Sequence, residues 1–466
     1  MKTPERLIGY IFHGNNEMAF EFDFTHFILN LYPSKSQYRT LTSSSIHNLQ
    51  DVLEQFKNNW IPHKILIGKG VDNKKIFFSV ESLPSNMNGF LSFNVDWYLY
   101  GTHGFDEDSI HSLCLRGNTI NVFFPPKDPL ELNFHYVSNV AEDFSKIDVS
   151  ISQPNTISCG SYDISDSISA TIEIRSSGYC EPLNYQQFVH ANSQVLITFN
   201  TPINLETALS EIQDLHRLFV FLTYRSDIRL ETINLQSFNN SGKQYHSGDL
   251  FFPKKEIPPI DGQPNKRIIE YRFLETHICN LIEAIKLKKA YLDHIPSFDS
   301  RNIITPNRVV MIFAAFESVF FSYYGKDAGR SNKYIAIKQE ITQYLKALQN
   351  TKTSQEKKYV GSLLSLIKNH DSSLGKKIEH ALQDCLQVMK PFLEEQYSTS
   401  DDMSLCNRLN DLRNKLVHGN LSLEIETTHV SDIHILEILI YAIVLKHTDV
   451  SDEDSQKALA QLFNLS

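Results

Sequence analysis

Arg413 and His418 stand with four residues between them near the end of the segment Asp401-Asp-Met-Ser-Leu-Cys-Asn-Arg-Leu-Asn-Asp-Leu-Arg-Asn-Lys-Leu-Val-His-Gly-Asn420. Their side chains suit complementary tasks. A histidine titrates near neutrality, so it can take or give a proton at cellular pH. An arginine's planar fork can hold two phosphoryl oxygens and stabilise charge as it develops on them.

Leu405, Leu409, Leu412 and Leu416 recur at spacings of 4, 3 and 4, which predicts a helix. Asp401 or Asp402 supplies its N-cap, and Gly419 sits where a left-handed C-terminal residue belongs. At about 100° per residue Asn414 and His418 share a face, while Arg413 and His418 are about 140° apart in a regular helix. Arg413 flanks the core seam, and His418, at the fraying end, has freedom to turn toward it. The spacing alone is cheap: for an arginine followed by a histidine after four to six residues, 14 arginines and 18 histidines in 466 positions give about 1.6 pairs by chance. Three occur: Arg6 with His13, Arg272 with His277, and Arg413 with His418. Only the third has a polar residue straight after the arginine, an apolar pair before the histidine and a glycine after it.

Glu317 is the second residue of interest. It is the only charge between Val309 and Phe321, on a helix apolar nearly all round. A carboxylate there needs a cation or donors beside it, and Arg413 is the natural candidate. The plainer alternative is a pair with a lysine or arginine at the edge of a bundle.

The elements that must position these residues change character along the chain. Short β-like runs fill the first half: 7–12, 19–24, 64–67, 75–80, 90–100, 119–124, 131–137, 167–174 and 194–199, several with visible alternation. Nine or more strands predict a sandwich or an open barrel. Leu205, Leu209, Ile212, Leu215, Phe219 and Leu222 then mark a helix that would pack against the sheet. Four prolines and a glycine between Phe251 and Asn265 make the best boundary. Beyond it, helical spacing runs through 268–291, 308–324, 333–348, 357–368, 374–397, 403–417, 433–446 and 452–463. The organisation expected is a β-rich sensor or regulatory domain over 1–252, a Pro-rich linker over 253–266 and an all-α bundle over 267–466, an α+β multidomain chain.

With 44 Lys and Arg against 54 Asp and Glu, the net charge is −10, so bulk charge cannot drive binding to a polyanion and any nucleic-acid site must be local. Cys114, Cys159, Cys180, Cys279, Cys385 and Cys406 are scattered, with no two close enough for a metal knuckle or redox pair. They read as reduced core thiols. The N-terminus lacks an uninterrupted apolar stretch, and 433–445 carries His434 and Glu437 and is too short to span a bilayer of about 30 Å. The expected location is a reducing cytosol, with no membrane contact. No Gly-rich phosphate loop, metal-ligand cluster or nucleophile elbow is present, which disfavours an NTPase or a kinase.

The context Leu412-Arg-Asn-Lys-Leu-Val-His-Gly419, with the upstream helix from Asn307 to Phe320, resembles the Apea-like HEPN domain. The layout is also similar to the ApeA family of bacterial anti-phage proteins, with the likeness sharpest over about 307–445. That resemblance implies a metal-independent endoribonuclease without a cofactor, acting as an abortive-infection effector. In it His418 would be the general acid/base, Arg413 the phosphate clamp and Asn414 the residue that orients them, with Glu317 as the helix acid. It further implies a homodimer through the HEPN domain, so that two motifs face one cleft, an RNA substrate with tRNA as a candidate, and a phage-derived trigger that releases the bundle from the β domain. Products would be a 2′,3′-cyclic phosphate and a 5′-hydroxyl.

Other readings stand beside these. His418 next to Gly419 suits a helix C-cap, and Arg413 suits a structural ion pair. Lys357, Lys358, Lys376 and Lys377 read as solvated faces, and Phe313, Phe316, Phe320 and Phe321 as core or interface. The alternative functions are a non-catalytic HEPN scaffold and a protein defined by a ligand-binding β domain.

Overall fold

The computed structural model describes residues 6–13, 16–32, 65–80, 85–87, 90–126, 130–135, 146–151, 155–180, 189–238, 245–253, 267–369, 372–397, 402–417 and 425–464. The chain divides into two compact units, residues 1–213 with 229–262, and residues 214–228 with 263–466. The expected linker over 253–266 lies almost wholly outside the described residues. Residues 214–228, which the sequence boundary counted with the β-rich half, belong to the second unit.

In the first unit, β1 (Arg6–His13), β2 (Asn16–Asp23), β3 (Ile28–Tyr32), β4 (Ile65–Gly70), β5 (Lys75–Val80), β6 (Ser85–Met87) and β7 (Phe90–Gly101) lead the chain. Antiparallel pairing runs β7–β3–β2–β1–β4–β5 and from β5 back to β7, closing a ring of six strands. Phe20, Phe22, Leu29 and Phe78 are fully buried in the core of these strands. Gly9 makes the crossing of β1 and β4 possible, since a Cβ there would lie 2.1 Å from the Lys69 carbonyl oxygen. The remaining strands, β8 (Ile110–Arg116), β11 (Asn155–Ser165), β12 (Ile168–Cys180), β13 (Val189–Ile203), β14 (Thr232–Phe238) and β15 (Tyr245–Phe251), join in the order β11-β12-β13-β8-β14-β15 and meet β7 through β15. Of the sandwich and the open barrel expected, the continuous thirteen-stranded sheet, closed over part of its width, is nearer the barrel, and β9 (Leu130–His135) and β10 (Lys146–Ile151) pair separately.

One expected strand is a helix. Residues 119–124 were read as β from their branched and aromatic content, yet α1 spans Asn118–Phe123. The Glu231 carboxylate accepts from the Asn118 N–H at 2.7 Å and satisfies an otherwise orphaned donor at the helix start, while Thr119, Ile120, Val122 and Phe123 are buried. Tertiary burial overrides the local β preference. α2 (Leu205–Thr223) follows as read; its first half packs in this unit, where the Tyr162 hydroxyl donates to Glu211 at 3.1 Å, and its second half belongs to the helical unit.

The second unit holds α3 (Tyr271–Leu274), α4 (Ile278–Lys286), α5 (Pro306–Tyr324), α6 (Asn332–Thr351), α7 (Ser354–Asn369), α8 (Leu374–Asp384), α9 (Leu386–Gln396), α10 (Asp402–Val417), α11 (Thr427–His447) and α12 (Asp452–Phe463). The expected helix over 268–291 is broken instead, because Glu275 and Lys288 take positive φ values of 45° and 56°. The run 374–397 likewise divides at Cys385. Pro391 inside α9 cannot donate to the Gln387 carbonyl, and the Gln456 side chain of α12 donates to that oxygen instead, at 2.5 Å.

α11 is the central element of the bundle. It is long and apolar enough to cross a membrane by composition, yet it is mostly buried within the unit, with Ile433, Ile435, Leu436 and every residue from Ile438 to Leu445 in the core. Its two buried acids are paired. Asp432 accepts from Arg408 Nε and NH2, both at 2.7 Å, and from the Tyr397 hydroxyl at 2.7 Å. Glu437 accepts from Arg308 NH2 at 3.0 Å and from the Tyr224 hydroxyl, while Arg308 NH1 donates to the carbonyls of Ser300, Arg301 and Ile303. Burial alone would raise the Glu437 carboxyl, but His434, Arg308 and Tyr224 hold it below the ordinary value.

Candidate functional site

α5 begins at Pro306, slightly ahead of the start read from its spacing: the Thr305 hydroxyl accepts from the Arg308 N–H and Pro306 occupies the first turn. Val309, Ile312, Phe313, Phe316, Val319 and Phe320 are buried, which leaves Glu317 at the margin of the packed face with a side chain 27% exposed. α10 packs against α5, α8 and α11, and its leucine stripe, Leu405, Leu409, Leu412 and Leu416, is buried. Arg413 flanks that stripe as its spacing requires.

Three charged side chains from three helices meet here. Glu317 Oε1 accepts from Lys377 Nζ of α8 at 2.8 Å, and Glu317 Oε2 lies 4.0 Å from Arg413 NH2 of α10. Lys377 is 2% exposed and lies over the Phe321 ring with its ammonium 4.3 Å from the centroid. Arg413 is 36% exposed. The carboxylate is therefore held tightly by a buried cation and only loosely by a half-exposed one, which leaves the guanidinium fork donors to spare. α8 and α10 pass closely at Gly375, where a Cβ would come within 3.0 Å of the Cys406 carbonyl oxygen.

Lys377 corrects the reading of Lys376 and Lys377 as solvated faces. The signal was in the register: Leu374, Ile378, Ala381 and Cys385 are buried at helical spacing, and Lys377 falls three residues after the first and four before the third. Asn414 is exposed beside Arg413. His418 and Gly419 lie outside the described residues, and α10 is described to Val417. The structure thus brings together Glu317 and Arg413, adds Lys377, and leaves Asn414 on the adjoining surface. Arg272, of the second spaced pair, sits 3.0 Å from Glu270 and over the Phe273 ring.

A second polar cluster closes the far end of the same helix pair. The Tyr324 hydroxyl donates to Asp384 Oδ2 at 2.7 Å, Lys446 Nζ donates to Asp384 Oδ1 at 2.7 Å, and His447 stacks on Tyr323 with centroids 4.6 Å apart. Contacts between Glu317 and Lys377, Phe320 and His380, and Tyr324 and Asp384 advance together along α5 and α8, so the two helices run parallel and clamp Lys377 at a fixed height. Burial pushes the Cys385 thiol in this cluster up to about 11.

Residues 310–454 match the family model described as Apea-like HEPN. This segment is similar to an Apea-like HEPN domain. It includes Glu317, Lys377, Arg413, Asn414 and position 418, so the whole candidate site falls within the match. No curated protein and no solved structure matches the chain.

Proposed function

We propose that the chain is a metal-independent RNA endonuclease whose Apea-like HEPN domain carries the reaction. The observation that supports this most directly is the loosely held Arg413: a half-exposed guanidinium 4.0 Å from a carboxylate already satisfied by Lys377, inside the matched segment. Arg413 binds two oxygens of the scissile phosphate and stabilises charge in the transition state. Glu317 orients that guanidinium without neutralising it. His418 exchanges the protons, Asn414 helps to orient it, and a homodimer through the HEPN domain supplies the second motif that one cleft needs. The 2′-oxygen attacks phosphorus as a base takes its proton, the bond to the 5′-oxygen breaks, and an acid protonates the leaving oxygen. The products are a 2′,3′-cyclic phosphate and a 5′-hydroxyl.

The β-rich unit is the regulator in this reading, restraining the nuclease until a phage-derived trigger binds, with tRNA as a candidate substrate and the cytoplasm as the site of action. The test is induced expression of wild type, Arg413→Ala and His418→Ala, with RNA sequenced at its 5′-hydroxyl ends. Discrete cuts that vanish in both variants are expected. Cuts that persist in Arg413→Ala would remove the assignment of that residue, and no cuts from wild type even under phage challenge would favour a non-catalytic HEPN scaffold.

A further inference from the structure

The helical hairpin α6–α7 is poorly covered by its own chain. Its two helices pack on each other more than on any other element, and among its described side chains only Leu345 and Val360 are buried apolar groups. A pair of helices spanning 332–369 cannot be held rigid by two such side chains against the entropy of ordering it. At the same time Ile337, Ile341, Tyr344, Tyr359, Leu363 and Leu366 are between 40% and 68% exposed.

These six are not scattered. Ile337, Ile341 and Tyr344 follow the i, i+4, i+7 pattern on α6, and Tyr359, Leu363 and Leu366 follow it on α7. Each stripe precedes its helix's buried residue by about 90° in the same rotational sense, and in an antiparallel pair that places both stripes on one face. Together they expose on the order of 700 Å² per chain, close to the ~800 Å² that each partner contributes to a standard-size interface and above the few hundred Å² usual for a monomer's largest patch. The charges avoid this face. Lys338, Lys346 and Lys357 lie about 90° or more from the stripes, while Lys333 and Glu340 border the α6 stripe with opposite signs.

We propose that this face is where two copies of the chain meet, hairpin against hairpin across a two-fold axis, forming a four-helix contact. The proposal builds on the homodimer suggested above and names its surface. A self-complementary patch suits an isologous dimer, and the rim lysine of one copy can meet the rim glutamate of the other. An RNA backbone would call for cations within the face, and those are on its back.

The test is the mass of the full-length protein by sedimentation equilibrium, comparing wild type with Ile341→Asp, Leu363→Asp and the back-face control Lys346→Glu. The expected result is a wild-type dimer, a dissociation constant raised at least 100-fold in each aspartate variant, and no change in the control. Wild type that stays monomeric, or a dimer untouched by both aspartates, would overturn the proposal. So would aspartate variants that lose RNA retention at unchanged mass, which would assign the face to RNA. If an aspartate variant misfolds, hydrogen exchange on wild type decides: amides over 337–344 and 359–366 must slow as concentration rises. Cleavage measured in parallel separates this from the nuclease reading, since a hairpin dimer that cuts nothing removes only the nuclease, and a monomer that cuts keeps the nuclease but removes this interface and the two-motif cleft with it.

Discussion

The helical unit uses carboxylate–cation pairs in two ways. Asp432 and Glu437 on α11 are buried and saturated: each accepts from an arginine and a tyrosine, and those arginines are further tied to Ser404 or to backbone carbonyls. Glu317 is half-buried and shared, 2.8 Å from Lys377 and 4.0 Å from Arg413. The chemistry of the pairs is the same, and solvent access with donor count separates them. A buried pair fixes helices and is closed to solvent and ligand, whereas a cation held at arm's length can still take an anionic ligand.

The contrast is broken most forcefully at α11. Asp432→Ala leaves Arg408 and Tyr397 without their acceptor, and thermal or urea unfolding should show a loss of about 3–5 kcal/mol. A loss below about 1 kcal/mol would mean the pair does not anchor α10. The Glu437 term also has a sign in pH. Its folded-state pKa is lowered, so its stabilisation is present above the unfolded value near 4.5 and is lost as pH falls through the folded one. Melting curves of Glu437→Gln should therefore be flatter than wild type on the acid side.

Arg413→Ala should do the reverse. Cleavage should fall by about 10²–10³, the scale for removing one donor to a developing oxyanion, while the melting temperature hardly moves. A large drop in melting temperature would place Arg413 with the structural pairs and dissolve the distinction.

His294 sharpens it from a third direction. The ring is buried, and that burial pulls its pKa down to about 4 from 6.5. The unfolded chain then binds a proton that the folded one refuses, so stability falls as pH drops from about 6.5 toward 4, by as much as ~3 kcal/mol. His294→Leu should abolish that part of the acid sensitivity, read from unfolding free energies across that window. The smallest effect belongs to Lys457, which pairs with Glu453 on the exposed face of α12; Lys457→Ala should leave the melting temperature unchanged.

Legibility followed how local each feature is. The leucine stripe of α10, the apolar spacing of α5 and the apolar run of α11 are periodic over a few turns, and the structure places helices at all three. α1 was missed because Thr119, Ile120 and Val122 favour strands locally, while the carboxylate that caps the helix comes from Glu231, far along the chain. Lys377 was visible as a lysine in an apolar register, but nothing in the neighbouring residues says that Glu317 sits 2.8 Å away.

By itself the sequence determined the residue types and their periodicity: a β-rich half followed by helices, an arginine beside a leucine seam, and one acid on an apolar helix. Only the tertiary structure decided which cation holds that acid, since Lys377 and Arg413 both come near it and Lys377 lies closer, at 2.8 Å against 4.0 Å. Periodicity is written in neighbours along the chain. Pairing across 60 or 96 positions depends on how whole helices cross, which is set by the sum of many contacts.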